Sequence, residues 1–184
     1  MSTKEQSNTS LKLDEFKQLI INDYYTACLS REVSLIGRKE VLTGKAKFGI
    51  FGDGKEVAQL AMARTFTKGD FRSGYYRDQT FMFATGMSTP KKFFAQLYAH
   101  TDLEKDPSSG GRQMNAHFAT RMLDDDGTWK DLTKEKNSSA DSSPTSSQMA
   151  RAVGLGLASK KYRSNPAIKE GTGFSNNGNE VVFT

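Results

Sequence analysis

Apolar residues recur every three or four positions near the start of the chain. Between Leu13 and about Ile36 they are Phe16, Ile20, Tyr24, Ala27 and Cys28. This spacing predicts an amphipathic α-helix, because it brings the apolar side chains onto one face. Residues 2–10 are polar, and we expect residues 1–12 to form a flexible N-terminal tail.

Two shorter helices are predicted next. Apolar spacing indicates one helix over about 57–64, after a glycine-rich turn at 49–54. Thr89 and Pro90 are typical of an N-cap followed by proline at the first helical position. They predict a second helix that continues to about residue 100.

The chain has no helical pattern from Thr101 to Gln148, where serine, glycine and aspartate are frequent. A stretch of this length without regular structure is usually functional or disordered. Helical spacing returns at Pro144, with Ser143 as the predicted N-cap. The predicted helix has an apolar face of small residues and runs to about Tyr162.

The last residues predict a β-strand. Val181, Val182 and Phe183 follow a turn and are typical of a central, fully apolar strand. Because the chain ends at Thr184 within that strand, we expect residues 13–184 to be the N-terminal part of an incomplete domain. The predicted fold class is α/β, mostly helical in the part present, with one long irregular loop.

Composition excludes several classes of function. The net charge is +5, but acidic residues are interleaved with the basic ones, so no nucleic-acid partner is expected. No apolar run has the length of a membrane span and the start lacks a signal peptide, so we expect a cytoplasmic protein without a membrane partner. One cysteine and two histidines do not suffice for zinc or iron–sulfur sites. Cys28 lies in the apolar pattern and is expected to be buried.

Two segments carry the candidate chemistry. Residues 142–148 place several hydroxyls and the Gln148 amide around one predicted helix start, and Tyr76 and Arg77 place a phenol beside a guanidinium. A helix start and a fork-shaped cation suit a phosphorylated cofactor, while hydroxyl oxygens suit a non-transition cation. Each segment alone also has a purely structural interpretation. Residues 142–148 are consistent with a capped helix, and Tyr76 and Arg77 with a surface pair. His117, alone in the irregular stretch, is consistent with a structural or a catalytic role.

Four motifs occur in order along the chain. They are Gly52 to Gln59 (GDGKEVAQ), Tyr76 to Asp78 (YRD), Gly111 to His117 (GRQMNAH) and Ser142 to Gln148 (SSPTSSQ). From about Leu13 onward the chain resembles the alpha part of the thiamine-diphosphate-dependent 2-oxo acid dehydrogenases, the branched-chain and pyruvate decarboxylating components. The resemblance implies a truncated thiamine-diphosphate-binding, Rossmann-like fold. It also implies an enzyme that decarboxylates a branched-chain 2-oxo acid and transfers the acyl group to a lipoyl carrier.

The resemblance implies roles for individual residues. Tyr76 and Arg77 match positions that bind the cofactor diphosphate, and Ser143 and Thr145 match positions near the pyrimidine end. His117 matches a histidine on the substrate side, for which a catalytic role as proton donor is implied. Four residues match a structural site for a monovalent cation, with potassium as the ion: Ser142 and Pro144 through their carbonyls, and Ser147 and Gln148 through their side chains.

Three features depart from the family pattern. Thr145 replaces a leucine that supports the bent cofactor. The loop between Thr101 and Ser142 is longer and more polar than in the family. The family's magnesium motif is absent from the chain. Gly52-Asp53-Gly54 copies its first three residues but lacks an Asn-Asn pair at the required spacing, so we interpret Asp53 as a turn and helix-cap residue.

The resemblance implies two protein partners. One is the beta part of the same enzyme, separate or fused, which would supply the glutamate that activates the cofactor; the other is a lipoyl acyltransferase component. We therefore expect the chain alone neither to bind thiamine diphosphate tightly nor to turn over substrate. Two alternatives stay open: a pyruvate, acetoin or transketolase-like enzyme, and a non-catalytic module whose basic surface binds an acidic partner.

Overall fold

The protein is mostly helical with a small parallel sheet. The computed structural model describes residues 12–169, 173–175 and 178–184. The helices are α1 (Leu13–Leu42), α2 (Glu56–Thr65), α3 (Gln79–Ala84), α4 (Pro90–Leu97), α5 (Ser147–Ser164) and α6 (Pro166–Lys169), and the strands are β1 (Phe71–Arg72), β2 (Asn137–Ser138) and β3 (Val182–Phe183). A short 3-10 helix spans Leu132–Lys134. The predicted tail lies outside the described residues except for Lys12, which directly precedes α1.

The local signals for α2 and α4 are confirmed. The Thr89 hydroxyl accepts a hydrogen bond from the Lys92 N–H at 3.3 Å, and Pro90 is the first residue of α4. The helix α1 is longer than predicted, because Gly37 lies inside it rather than near its end. A Cβ at Gly37 would lie 2.4 Å from Phe51 Cε1, so the glycine permits close packing on that ring.

The first half of α1 is more exposed than predicted. Cys28 is exposed, which corrects the expectation that it is buried. The apolar side chains of Phe16 and Tyr24 are also exposed, since no described element covers this face. Although α1 spans 30 residues, none of the described helices is long and apolar enough to cross a membrane.

Aromatic side chains form most of the core. Phe66 contacts Phe81 edge-to-face with ring centroids 5.1 Å apart, and Phe183 of β3 approaches Phe66 at the same distance. Phe93 of α4 and Phe118 are buried in the same cluster. This packing holds α2, α3 and α4 beside the sheet.

The three strands are parallel and in the order β2-β1-β3, with Phe71 opposite both Asn137 and Val182. The carboxyl ends of parallel strands meet at one edge of the sheet, where α/β proteins usually bind ligands. The segments that follow β1 and β2 therefore lie side by side. The strand predicted at the C-terminus is present as β3, which lies at the edge of the described sheet and is half-buried.

The helix α5 also differs from its prediction. It begins at Ser147, and Ser146 ahead of it has a left-handed backbone with φ of 71°. Ser143 and Pro144 therefore lie in the preceding turn and not at the N-cap and first helical position. No described residue of α5 is buried, so its predicted apolar face is exposed.

Candidate functional site

The segments after β1 and β2 are joined by a chain of hydroxyl groups. The Tyr75 hydroxyl lies 3.0 Å from the Thr145 Oγ1 and donates a hydrogen bond to the Tyr76 hydroxyl at 2.6 Å. The hydrogen bond with Thr145 lowers the pKa of Tyr75 from its usual value. Thr145 and Tyr76, which come from the two predicted site segments, are thus connected through Tyr75.

His117 lies next to this chain and is buried. Its Nε2 is 2.7 Å from the Ser143 Oγ, and its ring stacks on Tyr76 at 6.2 Å between centroids. The Nδ1 is 3.2 Å from the Asn115 carbonyl oxygen, which can only accept a hydrogen bond. Nδ1 therefore carries a proton, and in the neutral ring Nε2 accepts from Ser143.

Arg77 presents a free cation at the same place. Its side chain is exposed, and its Cζ lies 5.6 Å from the centroid of the Tyr76 ring. Among the described residues no carboxylate forms an ion pair with it. Gln59 holds its backbone, because the Gln59 Nε2 donates to the Arg77 carbonyl at 2.8 Å. This bond fixes the backbone from which the guanidinium extends.

A second group of oxygen atoms lies at the start of α5. The hydroxyls of Ser142 and Ser147 form a short hydrogen bond, and the Pro144 carbonyl accepts from the Ser147 N–H at 3.2 Å. The Gln148 Oε1 is buried and has no hydrogen-bond partner within the described part of the chain. A buried acceptor without a partner is unfavourable. This feature fits a cation held by neutral oxygen ligands.

The structure explains why Ser143 is not the N-cap of α5. A capping side chain must fold back onto the first N–H groups of its own helix. The Ser143 hydroxyl instead contacts His117, and Thr145 contacts Tyr75. The hydroxyls of this turn are therefore directed toward the neighbouring segments.

A buried arginine, Arg72, organises the site and was not predicted. Its Nη1 and Nη2 each donate to one oxygen of Asp141 at 2.9 Å, and Nη2 donates to Asp78 at 2.8 Å. The Asp141 carboxylate also accepts from the Phe118 N–H at 3.1 Å. Burial raises the pKa of Asp141, and the Arg72 guanidinium opposes this change. One arginine thus ties together the segments that carry Tyr76, His117 and Ser143.

The space around Arg72 accounts for the glycine before the two tyrosines. A Cβ at Gly74 would lie 1.9 Å from the Arg72 Cζ, so only glycine fits there. Two aspartates could have indicated a buried cation in the sequence. Asp78 ends one site motif and Asp141 directly precedes another, and neither had been given a role. Their common partner could not be read from spacing.

Asp53 lies in a turn, as predicted, but it does not cap α2. It accepts a hydrogen bond from the Arg38 Nη2 at 2.7 Å. The Gly54 N–H donates to the Glu56 carboxylate instead, at 2.9 Å. The described residues contain no group of three or more histidine, cysteine, aspartate or glutamate side chains able to hold a metal ion. Asn176 and Asn177 lie outside the described residues.

Comparison with known proteins assigns the chain to a class. The family described as "Dehydrogenase E1 component" matches residues 25–168. The chain is also similar to the 2-oxoisovalerate dehydrogenase subunit alpha of Bacillus subtilis (strain 168), with 32% identity over 168 residues, which is 88% of this chain and 44% of that protein. The chain thus spans less than half the length of this curated relative.

The family match covers the two segments that meet at the sheet edge, and it shows that the chain belongs to the dehydrogenase E1 component family. Within this class, the chain belongs to the alpha part of the 2-oxo acid dehydrogenase E1 components.

Proposed function

We propose that the chain forms one side of a thiamine diphosphate site in an enzyme that decarboxylates a branched-chain 2-oxo acid. The acyl group then passes to a lipoyl carrier. The main support is that the side chains of two hydrogen-bonded groups meet beside Arg77. Tyr75 joins Tyr76 to Thr145, Ser143 hydrogen-bonds His117, and the His117 ring stacks on Tyr76. The relative named 2-oxoisovalerate dehydrogenase subunit alpha favours a branched-chain substrate.

Arg77 and Tyr76 bind the cofactor diphosphate in this proposal. The guanidinium offers two parallel N–H donors to phosphate oxygens. The Tyr76 hydroxyl accepts from Tyr75, so its own hydrogen remains available to a phosphate oxygen. Both groups project from the segment that follows β1, at the sheet edge where ligands usually bind.

His117, Ser143 and Thr145 act toward the reacting end. Bound thiamine diphosphate would supply the electron-accepting chemistry of decarboxylation. His117 holds or releases a proton at Nε2, because its Nδ1 is committed to the Asn115 carbonyl. Ser143 orients that nitrogen from 2.7 Å. Thr145, where the family has leucine, supports the tyrosine pair by a hydrogen bond instead of an apolar contact.

The remaining parts of the site come from other segments in this proposal. A beta part, separate or fused, faces this chain, and a lipoyl acyltransferase component accepts the product. The parallel sheet extends into a Rossmann-like domain, of which residues 13–184 are one part. Asp78 and Asp141 are committed to Arg72. We therefore assign none of the described residues of this chain as a magnesium ligand.

A monovalent cation, potassium by preference, is proposed at the start of α5. Its ligands are the oxygens of Ser142, Pro144, Ser147 and Gln148. The support is the buried Gln148 Oε1, which has no hydrogen-bond partner among the described residues, together with the hydrogen-bonded hydroxyls of Ser142 and Ser147 beside it in the sequence. A cation among them would satisfy the Gln148 amide oxygen.

We expect potassium to raise the melting temperature of the protein relative to choline at equal ionic strength. A cation at about ten times its Kd stabilises by about 1.4 kcal/mol, or about 3 °C for a chain of this size. The increment is lost in Gln148→Met, because that side chain offers no oxygen ligand. Ser164→Ala at the far end of α5 is the control and retains it. Equal melting temperatures in both salts for the unsubstituted protein would contradict the site.

The proposed reaction is tested with the assembled enzyme, that is, this chain with its partner chain. We expect carbon dioxide release from 2-oxoisovalerate that requires thiamine diphosphate and exceeds the release from pyruvate. Reduction of an artificial electron acceptor gives an independent measurement of turnover. Cleavage of a sugar phosphate without 2-oxo acid decarboxylation would support a transketolase-like enzyme instead. Salt-sensitive binding of an acidic protein, without any turnover, would support the binding module.

A further inference from the structure

A basic cleft lies at the edge of the sheet opposite to the candidate functional site. It has a volume of about 400 Å³ and is bordered by the segment before β1, the link between α3 and α4, and the segments around Thr120 and Lys136. Lys68 lies three residues before Phe71 of β1, and Lys136 directly precedes β2. The cleft is therefore at the amino ends of the strands, whereas Tyr76 and Ser143 follow the carboxyl ends.

The charges around this cleft are strongly unbalanced. Five cationic side chains and one carboxylate border it: Lys68, Lys92, Arg121, Lys130, Lys136 and Glu135. Elsewhere in the sequence acidic and basic residues are interleaved. Converging like charges repel one another, and a low-dielectric wall strengthens their field. An anion in the cleft would remove this repulsion.

Three of the lysines have no acidic partner among the described residues. In the described part of the chain, the Lys68 and Lys92 side chains form no ion pair or hydrogen bond. Among the same residues Lys136 Nζ donates only to the Thr85 carbonyl, at 3.2 Å, which holds the ammonium in place without neutralising it.

The other two cations have weak partners. Arg121 pairs with Asp125, whose side chain is 93% exposed, and Lys130 is 4.0 Å from Asp124. Exposed ion pairs of this kind contribute little to the stability of the fold. The uncompensated positive charge of the cleft is therefore carried by Lys68, Lys92 and Lys136, with Glu135 as the one carboxylate among the lining residues.

We propose that this cleft binds a small polyanion that carries phosphate or carboxylate groups. The volume lies in the range of small-molecule sites and is too small for an extended polymer. Several separate ammonium groups suit a ligand with two or more anionic groups, because each lysine acts as a point charge. This inference does not depend on the proposed thiamine diphosphate site, which uses other residues.

The test is a titration of the ¹⁵N-labelled chain with inorganic pyrophosphate, followed by amide chemical shifts and by calorimetry. We expect saturable shifts at Gly86, Met87 and Thr120, which border the cleft. The Lys68→Gln/Lys92→Gln double variant should weaken this binding about tenfold, as loss of two charge contacts predicts. The Lys160→Gln/Lys161→Gln variant on α5 removes the same charge elsewhere and should leave it unchanged.

Pyrophosphate can also bind at Arg77, so the titration is repeated with Arg77→Gln. Cleft shifts that persist in this variant support the second site whether or not the first one exists. Shifts confined to Tyr76 and Ser143 would overturn the inference. Equal weakening by both lysine pairs would also overturn it, since it would indicate diffuse attraction. Binding of a hexaglutamate peptide at least about tenfold more tightly than pyrophosphate or citrate would identify a protein-docking surface instead.

Discussion

Replacing Arg72 by methionine is expected to lower the free energy of unfolding by about 3–5 kcal/mol, the cost of breaking a buried ion pair from one side. The Arg72 side chain is 2% exposed, and that of Asp141 is fully buried. Without the guanidinium, the Phe118 N–H is the only hydrogen-bond donor to the Asp141 carboxylate in the described part of the chain. Urea unfolding followed by circular dichroism measures the loss.

Two further variants separate the ion pair from general effects of substitution. Arg77→Met removes an exposed arginine nearby and should change the unfolding free energy by less than about 0.5 kcal/mol. Arg72→Met combined with Asp141→Leu removes both buried charges and should be more stable than the sum of the two single changes predicts. Additive losses, or a loss below about 1 kcal/mol in Arg72→Met, would show that the pair does not organise this region.

Arg77→Gln is expected to weaken thiamine diphosphate binding by the assembled enzyme about 10- to 100-fold, the usual effect of losing a charge-assisted hydrogen bond. The guanidinium is exposed and has no ion-pair partner among the described residues, so the substitution should hardly affect folding. Affinity for thiamine without phosphates should stay nearly constant, because the loss concerns the diphosphate alone. Equilibrium binding of both compounds gives the two affinities.

Arg163→Gln, at the end of α5, is the matched control and should leave both affinities unchanged. Arg77→Lys should recover only part of the affinity, since an ammonium cannot form two parallel hydrogen bonds to a phosphate. If Arg77→Gln weakened thiamine and thiamine diphosphate equally, the arginine would not act on the diphosphate. The sequence-based role of Arg77 would then be wrong.

Local signals predicted four of the helices (α1, α2, α4 and α5) and the strand β3, but they missed α3, α6, β1 and β2. Thr89 and Pro90 predict the start of α4, because capping involves residues three positions apart. Each described strand has only two residues, which is too short to show a repeating pattern. Their pairing depends on the approach of Asn137 and Val182 to Phe71. This contact between distant segments leaves no trace in local spacing.

The sequence by itself determined which side chains are suited to chemistry. Tyr76, Arg77 and His117 could be selected because their chemical groups and motif order are local properties. Only the tertiary structure decided how the groups are arranged: Ser143 contacts His117 instead of capping α5, and a buried arginine joins the segments. The physical reason is that Arg72 and Ser138 are 66 residues apart and meet only when β1 and β2 pair.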